Sequence, residues 1–119
     1  MSSRKSFIQQ YDFESRQKES ESVLSKYPER VPIIVEKSIH CSDIEDIDKN
    51  KFLAPRDISF GQFQFSIRKR LKLSPEKSFF LFTDNNILSN TQNIASCYEQ
   101  YKKKDGFMYI TYDSENTFG

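Results

Sequence analysis

Gly106-Phe107-Met108-Tyr109-Ile110-Thr111-Tyr112-Asp113-Ser114-Glu115-Asn116-Thr117-Phe118-Gly119 closes the chain, and its two halves have opposite character. Positions 107 to 112 are aromatic, β-branched or apolar throughout and carry no charge, Pro or Gly. Such a run predicts a strand buried on both faces, in the middle of a sheet rather than at its edge. Asp113 to Thr117 are all polar, Phe118 is the only apolar residue after them, and Gly119 is last. A core strand therefore delivers a short polar tail ending in a residue without Cβ, the type that can approach catalytic groups closely from either side. That suits a chain whose terminal carboxylate is itself a reactant, activated by other proteins, passed to a thiol and then to an amine.

The rest of the composition narrows what such a chain can be. At 119 residues it supports one domain that buries roughly two-thirds of its unfolded surface. Lys and Arg number 18 against 17 Asp and Glu, a net charge of +1, so no global field draws it to nucleic acid or anionic membrane. Cys41 and Cys97, without an apolar leader over Met1 to Ser6, predict reduced thiols in the cytoplasm rather than a disulfide framework. No apolar run approaches the ~20 residues that span a bilayer, so any membrane attachment is expected to be acquired covalently. With 11 Phe and 6 Tyr, the core is built from few, large side chains.

Moving outward from the terminal strand, Asp12 can cap a helix from Phe13 to about Lys26, preceded by a short helical segment near Ser6 to Gln10. Gln17 and Ser20 interrupt its apolar period, which places this helix on the surface of the domain. Tyr27-Pro28 stops it. Val31 to Lys37 reads as a strand in which Pro32 removes one ladder donor and so faces an unpaired side or the strand's beginning. Lys49 to Pro55 reads as a short edge strand, protected by flanking charge. Ser59 and Gln62 form a capping box, and Phe60, Phe63, Ile67 and Leu71 put one continuous face of the following helix on the core. Arg68, Lys69, Arg70 and Lys72 lie off that face, as solvated surface or, on a sharper reading, as a basic patch for acidic peptides. Phe79 to Phe82 is a buried strand, Asp84-Asn85-Asn86 a turn, and Ile87-Leu88 a brief strand. A helix from Thr91 to Lys102 follows, with Ile94, Ala95, Tyr98 and Tyr101 inward.

Strand, strand, helix, strand, helix, strand after an N-terminal helical pair predicts an α+β fold, a β-grasp in which a mixed sheet holds one helix. The expected divisions are a helical extension at 1–27, a core at 28–113 and a tail at 114–119. Enzymatic chemistry has no visible machinery. His40 and Cys41 are adjacent in a loop and point apart, and the Asp43 to Asp48 acidic run lacks the central Gly and terminal Glu of a calcium loop. No catalytic residue, metal site or cofactor is expected.

Tyr27 to Lys37, Asp46 to Lys49, Lys51-Phe52-Leu53 with Pro55, Gly61-Gln62-Phe63, Ile67 to Leu71 and Gly106 to Gly119 together closely resemble the autophagy ubiquitin-like modifier family, which includes GABARAP and the microtubule-associated-protein light chains. The resemblance runs from about Phe13 to Gly119. It implies a ubiquitin-like β-grasp with two additional N-terminal helices, and a Gly119 joined as an amide to phosphatidylethanolamine. Activating and conjugating enzymes supply that chemistry, and a cysteine protease processes and delipidates the modifier. It also implies a groove for cargo receptors carrying an aromatic-x-x-aliphatic motif, added as a strand to the sheet edge. The first pocket would take Glu19, Val23, Pro32, Lys51, Leu53 and Phe107. The second would take Phe52, Ala54, Pro55, Ile58, Phe63 and Ser66, with Arg30 and Arg70 near the motif's acidic flank. Such a protein is cytoplasmic until lipidated, then on autophagosome membranes, and binds no nucleic acid. Ser66 and Ala54 are smaller than the family's usual residues, the loop from Ser38 to Asp46 is one residue longer, and Asp12 stands where a Pro is common. An unconjugated adaptor using the same groove is the rival reading, and loss of membrane association in Gly119→Ala separates the two.

Overall fold

The computed structural model describes residues 5–115, so Gly119 and the end of the tail lie outside the described residues. Two helices, α1 (Phe7–Gln10) and α2 (Phe13–Lys26), precede β1 (Arg30–Lys37), β2 (Lys51–Pro55), α3 (Phe60–Arg70), β3 (Phe80–Thr83), β4 (Asn86–Ile87), α4 (Ile94–Tyr101) and β5 (Met108–Asp113). The five strands form one mixed sheet in the order β2-β1-β5-β3-β4. β5 is the middle strand, parallel to β1 and antiparallel to β3. This is the α+β β-grasp that the element order predicts.

Local chemistry sets the helix starts. Asp12 accepts the Ser15 N–H at 2.9 Å to cap α2. Ser6 with Gln9, and Ser59 with Gln62, make reciprocal capping boxes at α1 and α3. Phe60, Phe63 and Ile67 of α3 are buried against Val31, Ile33, Val35, Met108, Ile110 and Tyr112. The last helix begins three residues later than its apolar spacing suggests, because Asn93, not a residue near Thr91, caps it through the Ala95 N–H. The inward set shifts accordingly: Cys97 is buried beside Ile94 and Tyr98, while Ala95 and Tyr101 are only half-buried.

The terminal strand departs from expectation on one face. Met108, Ile110 and Tyr112 are buried on α3's side, but on the other side Phe107 is buried, Tyr109 half-buried and Thr111 exposed. The N-terminal helices cover only the start of that outer face, where Phe7 packs on Ile34 and Phe107. Their attachment is polar as much as apolar. Asp105, 3% exposed, receives Arg16 Nε at 2.9 Å, Phe107 N–H at 3.0 Å and the Tyr109 hydroxyl. Ser20, the one buried residue of α2, donates its hydroxyl to the Asp105 carbonyl. Gly106 sits opposite at φ 91°, where a Cβ would lie 2.2 Å from Ser20 Oγ, so only glycine lets the helix come this close.

β2 pairs with β1 alone, which leaves its other side as a free edge. The Val35 N–H donates to Asn50 at 2.7 Å and the Arg56 N–H to Glu29 at 3.0 Å, bracketing the ladder. Antiparallel pairs alternate between bonded and non-bonded. Val31↔Ala54 and Ile33↔Phe52 are therefore the bonded pairs, and Lys51, Leu53 and Pro55 aim their backbone groups away from β1. Pro32 falls in a non-bonded pair with Leu53, and the β1–β5 ladder starts only at Ile33↔Met108, so its missing N–H costs no ladder bond.

Candidate functional site

Side chains along a strand alternate between faces, and on β2 this sorts the candidate residues into two groups. Phe52 and Ala54 share the face of Val31 and Ile33, toward α3. Lys51 and Leu53 share the opposite face with Ile34 and Pro32, toward α2. On that second side Lys51 Nζ is bonded to the Glu19 carboxylate of α2, one turn from Val23. Leu53, Val23 and Glu19 are half-buried, whereas Pro32, cross-strand from Leu53, and Phe107, packed with Ile34 of the same face, are buried. Arg30 Nη1 donates to the Leu53 carbonyl at 2.9 Å and so rests against one of the outward-aimed acceptors of the edge.

On the α3 side a cavity of about 660 Å³ is lined by Pro55, Ile58, Ser59, Gly61, Gln62, Phe65 and Ser66. Pro55, Ile58 and Ser66 belong to the set inferred from the sequence. Ala54 and Phe63, each 3% exposed, are core residues underneath it, with Phe63 edge-to-face on Phe52 at 6.1 Å between ring centres. Sequence reasoning missed Phe65, which is 62% exposed. The signal was present: Phe65 falls off the Phe60, Phe63, Ile67, Leu71 stripe, so the helical period leaves its ring outside the core. Ser66 donates its hydroxyl to the Gln62 carbonyl at 3.1 Å, one turn back, and leaves the cavity without an apolar wall there.

The cations of α3 do not gather into one patch. Arg68 donates to the carbonyls of Lys77 at 2.9 Å and Ser74 at 2.8 Å, and lies over the Phe79 ring, where it braces the segment before β3. Lys69 stands over Phe65. Arg70 bonds Asp48 at 3.0 Å and covers the Phe52 ring, at the border of β2. Its guanidinium holds the Asp48 carboxyl below the usual range. Cys97 is buried, and burial pushes its thiol up, away from the thiolate that nucleophilic chemistry needs. Among the described residues no group of three or more His, Cys, Asp or Glu is placed to hold a metal. A second cavity, about 550 Å³, lies between α1, the loop after β1 and the β3–β4 turn.

A family model described as "Autophagy protein Atg8 ubiquitin like" matches residues 15–119. The chain is 48% identical over 116 residues to Autophagy-related protein 8 of Schizosaccharomyces pombe, covering 98% of this chain and 95% of that one. It is 48% identical over 116 residues to the protein of the same name from Emericella nidulans, covering 98% of each. Among solved structures, the crystal structure of Trypanosoma brucei ATG8 matches with a TM-score of 0.84 and 39% sequence identity, covering 92% of this chain and 95% of that one.

Proposed function

The chain belongs to the Atg8 family of ubiquitin-like autophagy proteins, a modifier rather than an enzyme, and from that premise we propose that Gly119 is its point of conjugation and β2 its receptor-docking edge. Activating and conjugating enzymes carry the Gly119 acyl group as a thioester. The amine of phosphatidylethanolamine then displaces the enzyme thiol, forming an amide and releasing the thiol. The product is held on autophagosome membranes, and a cysteine protease hydrolyses the amide, returning the Gly119 carboxylate and the free phosphatidylethanolamine amine. Before conjugation the protein is cytoplasmic.

The observation that carries the docking half is the alternation along β2. Lys51 and Leu53 face α2, while Phe52 faces α3. A strand added to the free edge alternates in the same way, so two of its residues reach opposite pockets only when an odd number of positions separates them. An aromatic residue and an aliphatic one three positions later meet that condition. The aromatic side chain enters between Leu53, Val23 and the Glu19–Lys51 pair, over Pro32 and Phe107. The aliphatic one enters between Pro55, Ile58, Phe65 and Ser66, over Ala54, Phe63 and the Phe52 ring. Arg30 and Arg70 stand at the rim and take the motif's acidic flank.

Titration calorimetry with one aromatic-x-x-aliphatic peptide tests the groove. Leu53→Ala removes several tens of Å² of apolar contact, which at ~25 cal/mol per Å² lowers affinity roughly tenfold. Unchanged affinity in both Leu53→Ala and Phe65→Ala places the partner surface elsewhere. Gly119→Ala tests the conjugation half: it abolishes the lipid-linked form in cells while leaving peptide affinity at the parent value, and normal lipidation of that variant refutes the assignment.

A further inference from the structure

The chain leaves the sheet through a bonded junction that the docking groove does not use. Beyond β5, the buried Asp113 carboxylate accepts the N–H of Ser114 at 2.7 Å and of Glu115 at 3.2 Å through the same oxygen, turning the chain as it departs. Ser114 then donates its hydroxyl to Asp43 Oδ1 at 2.6 Å, across 71 positions of sequence. The other Asp43 oxygen takes Lys77 Nζ. Lys77 is itself tied down, with its N–H on the Ser74 carbonyl at 3.1 Å and its carbonyl receiving Arg68 Nη1 at 2.9 Å. Asp43 thus joins the β1–β2 loop, the segment before β3 and the root of the tail.

These contacts do little for the fold. The Asp43–Lys77 pair is open to water, and exposed pairs of this kind contribute little to stability. What the junction does is fix a direction. Gly119 is four residues beyond Glu115, so its greatest distance from Glu115 is about 14 Å, no more than the 14.0 Å radius of gyration. On so short a tether the position and orientation of Ser114 limit the space that the terminal carboxylate can reach.

We propose that Asp43 and Ser114 are positioning residues for conjugation, a clasp that aims the tail at the enzyme slot before binding. The proposal rests on the reading of Gly119 as the conjugated residue. A pre-aimed root leaves less backbone to be ordered on entry to the slot, and so lowers the barrier to transfer. Losing it costs about as much as ordering one further residue, on the order of tenfold in rate.

The test is conjugation of the full 119-residue chain by the purified activating and conjugating enzymes on vesicles containing phosphatidylethanolamine, with kcat/KM measured for the parent, Asp43→Ala, Ser114→Ala and the double variant. Each single variant drops about tenfold, and the double variant drops no further because both remove one bond. Thermal midpoint and peptide affinity at β2 stay at the parent values. Inserting two glycines between Glu115 and Asn116 loosens the tether, and in that background Asp43→Ala has no effect, a result that a merely structural role for Asp43 does not produce. Transfer at the parent rate by Asp43→Ala or Ser114→Ala overturns the clasp, as does a rate loss in Asp43→Ala that tracks a fall in thermal midpoint while Ser114→Ala transfers normally. If the parent itself is not conjugated, the reading of Gly119 fails first and the clasp falls with it.

Discussion

Truncating Phe63 and truncating Phe65 are expected to have opposite consequences, although the two residues are neighbours on one helix. Phe63 is 3% exposed, between Phe52 at 6.1 Å and Phe60 at 6.4 Å between ring centres. A buried Phe covers roughly 150–250 Å², so at about 25 cal/mol per Å² its removal costs on the order of 4 kcal/mol, inside the ~3–5 kcal/mol range for Phe→Ala in cores. With an unfolding entropy of about 2.1 cal/mol/K for each of 119 residues, roughly 250 cal/mol/K in all, the thermal midpoint falls by about 16 °C. Phe65 is 62% exposed, and Phe65→Ala leaves stability within about 0.5 kcal/mol of the parent. Peptide affinity reverses the order of interest: Phe65→Ala binds roughly tenfold more weakly while fully folded, whereas Phe63→Ala loses affinity only in step with its folded fraction and the tilt of Phe52. Urea denaturation and calorimetry on both variants decide the matter. A Phe63→Ala protein within 1 kcal/mol of the parent that nonetheless fails to bind would make Phe63 a pocket wall and refute the division between pocket and floor.

Three further outcomes follow from single residues. Lys72 holds φ 57° at the end of α3, with its N–H on the Lys69 carbonyl and that of Leu73 on the Arg68 carbonyl, so Lys72→Gly relieves left-handed strain and raises unfolding free energy by about 1 kcal/mol in urea; a lowered midpoint contradicts this. Gly106→Ala meets both a positive φ and the Ser20 hydroxyl, so it destabilises by more than ~1 kcal/mol, and adding Ser20→Gly, which removes the atoms it strikes, recovers part of the loss. The hydrogen bonds of Lys77 and then Ser114 hold the Asp43 carboxyl down to about 2, from an ordinary 3.8. A depressed folded-state value stabilises above the unfolded pKa and is lost as pH falls through the folded one, so the stability gap between parent and Asp43→Asn, small because the pair is open to water and too small to move the neutral-pH midpoint, is present above pH 4 and closes between about pH 4 and pH 2. A gap constant across that window shows that Asp43 is not held in this way.

Much of the architecture is legible in the sequence, because it depends on interactions only a few residues apart. Asp12, Ser6 and Ser59 cap helices through the next three residues, and Asp84-Asn85 turns the chain at positive φ through its own backbone. The unbroken apolar run before Asp113 marks a central strand because a middle strand has no polar edge to offer. The same locality explains the misplaced start of α4, where Thr91 and Asn93 are both acceptable caps and only packing of Cys97 against the core chooses between them.

What the sequence alone determined, then, is the order and kind of the elements, the central position of β5 and the free edge at β2, since periodicity and turn chemistry are properties of short windows. What only the tertiary structure decided is which side chain meets which. No local rule says that α1 and α2 stop short of Thr111, that Phe63 lies under the groove while Phe65 stands beside it, or that Asp43 reaches Ser114 across 71 positions. Those pairings come from packing a twisted sheet between a long helix and a short helical pair, where burial is shared among segments distant in sequence and a residue's neighbours are set by the fold around it.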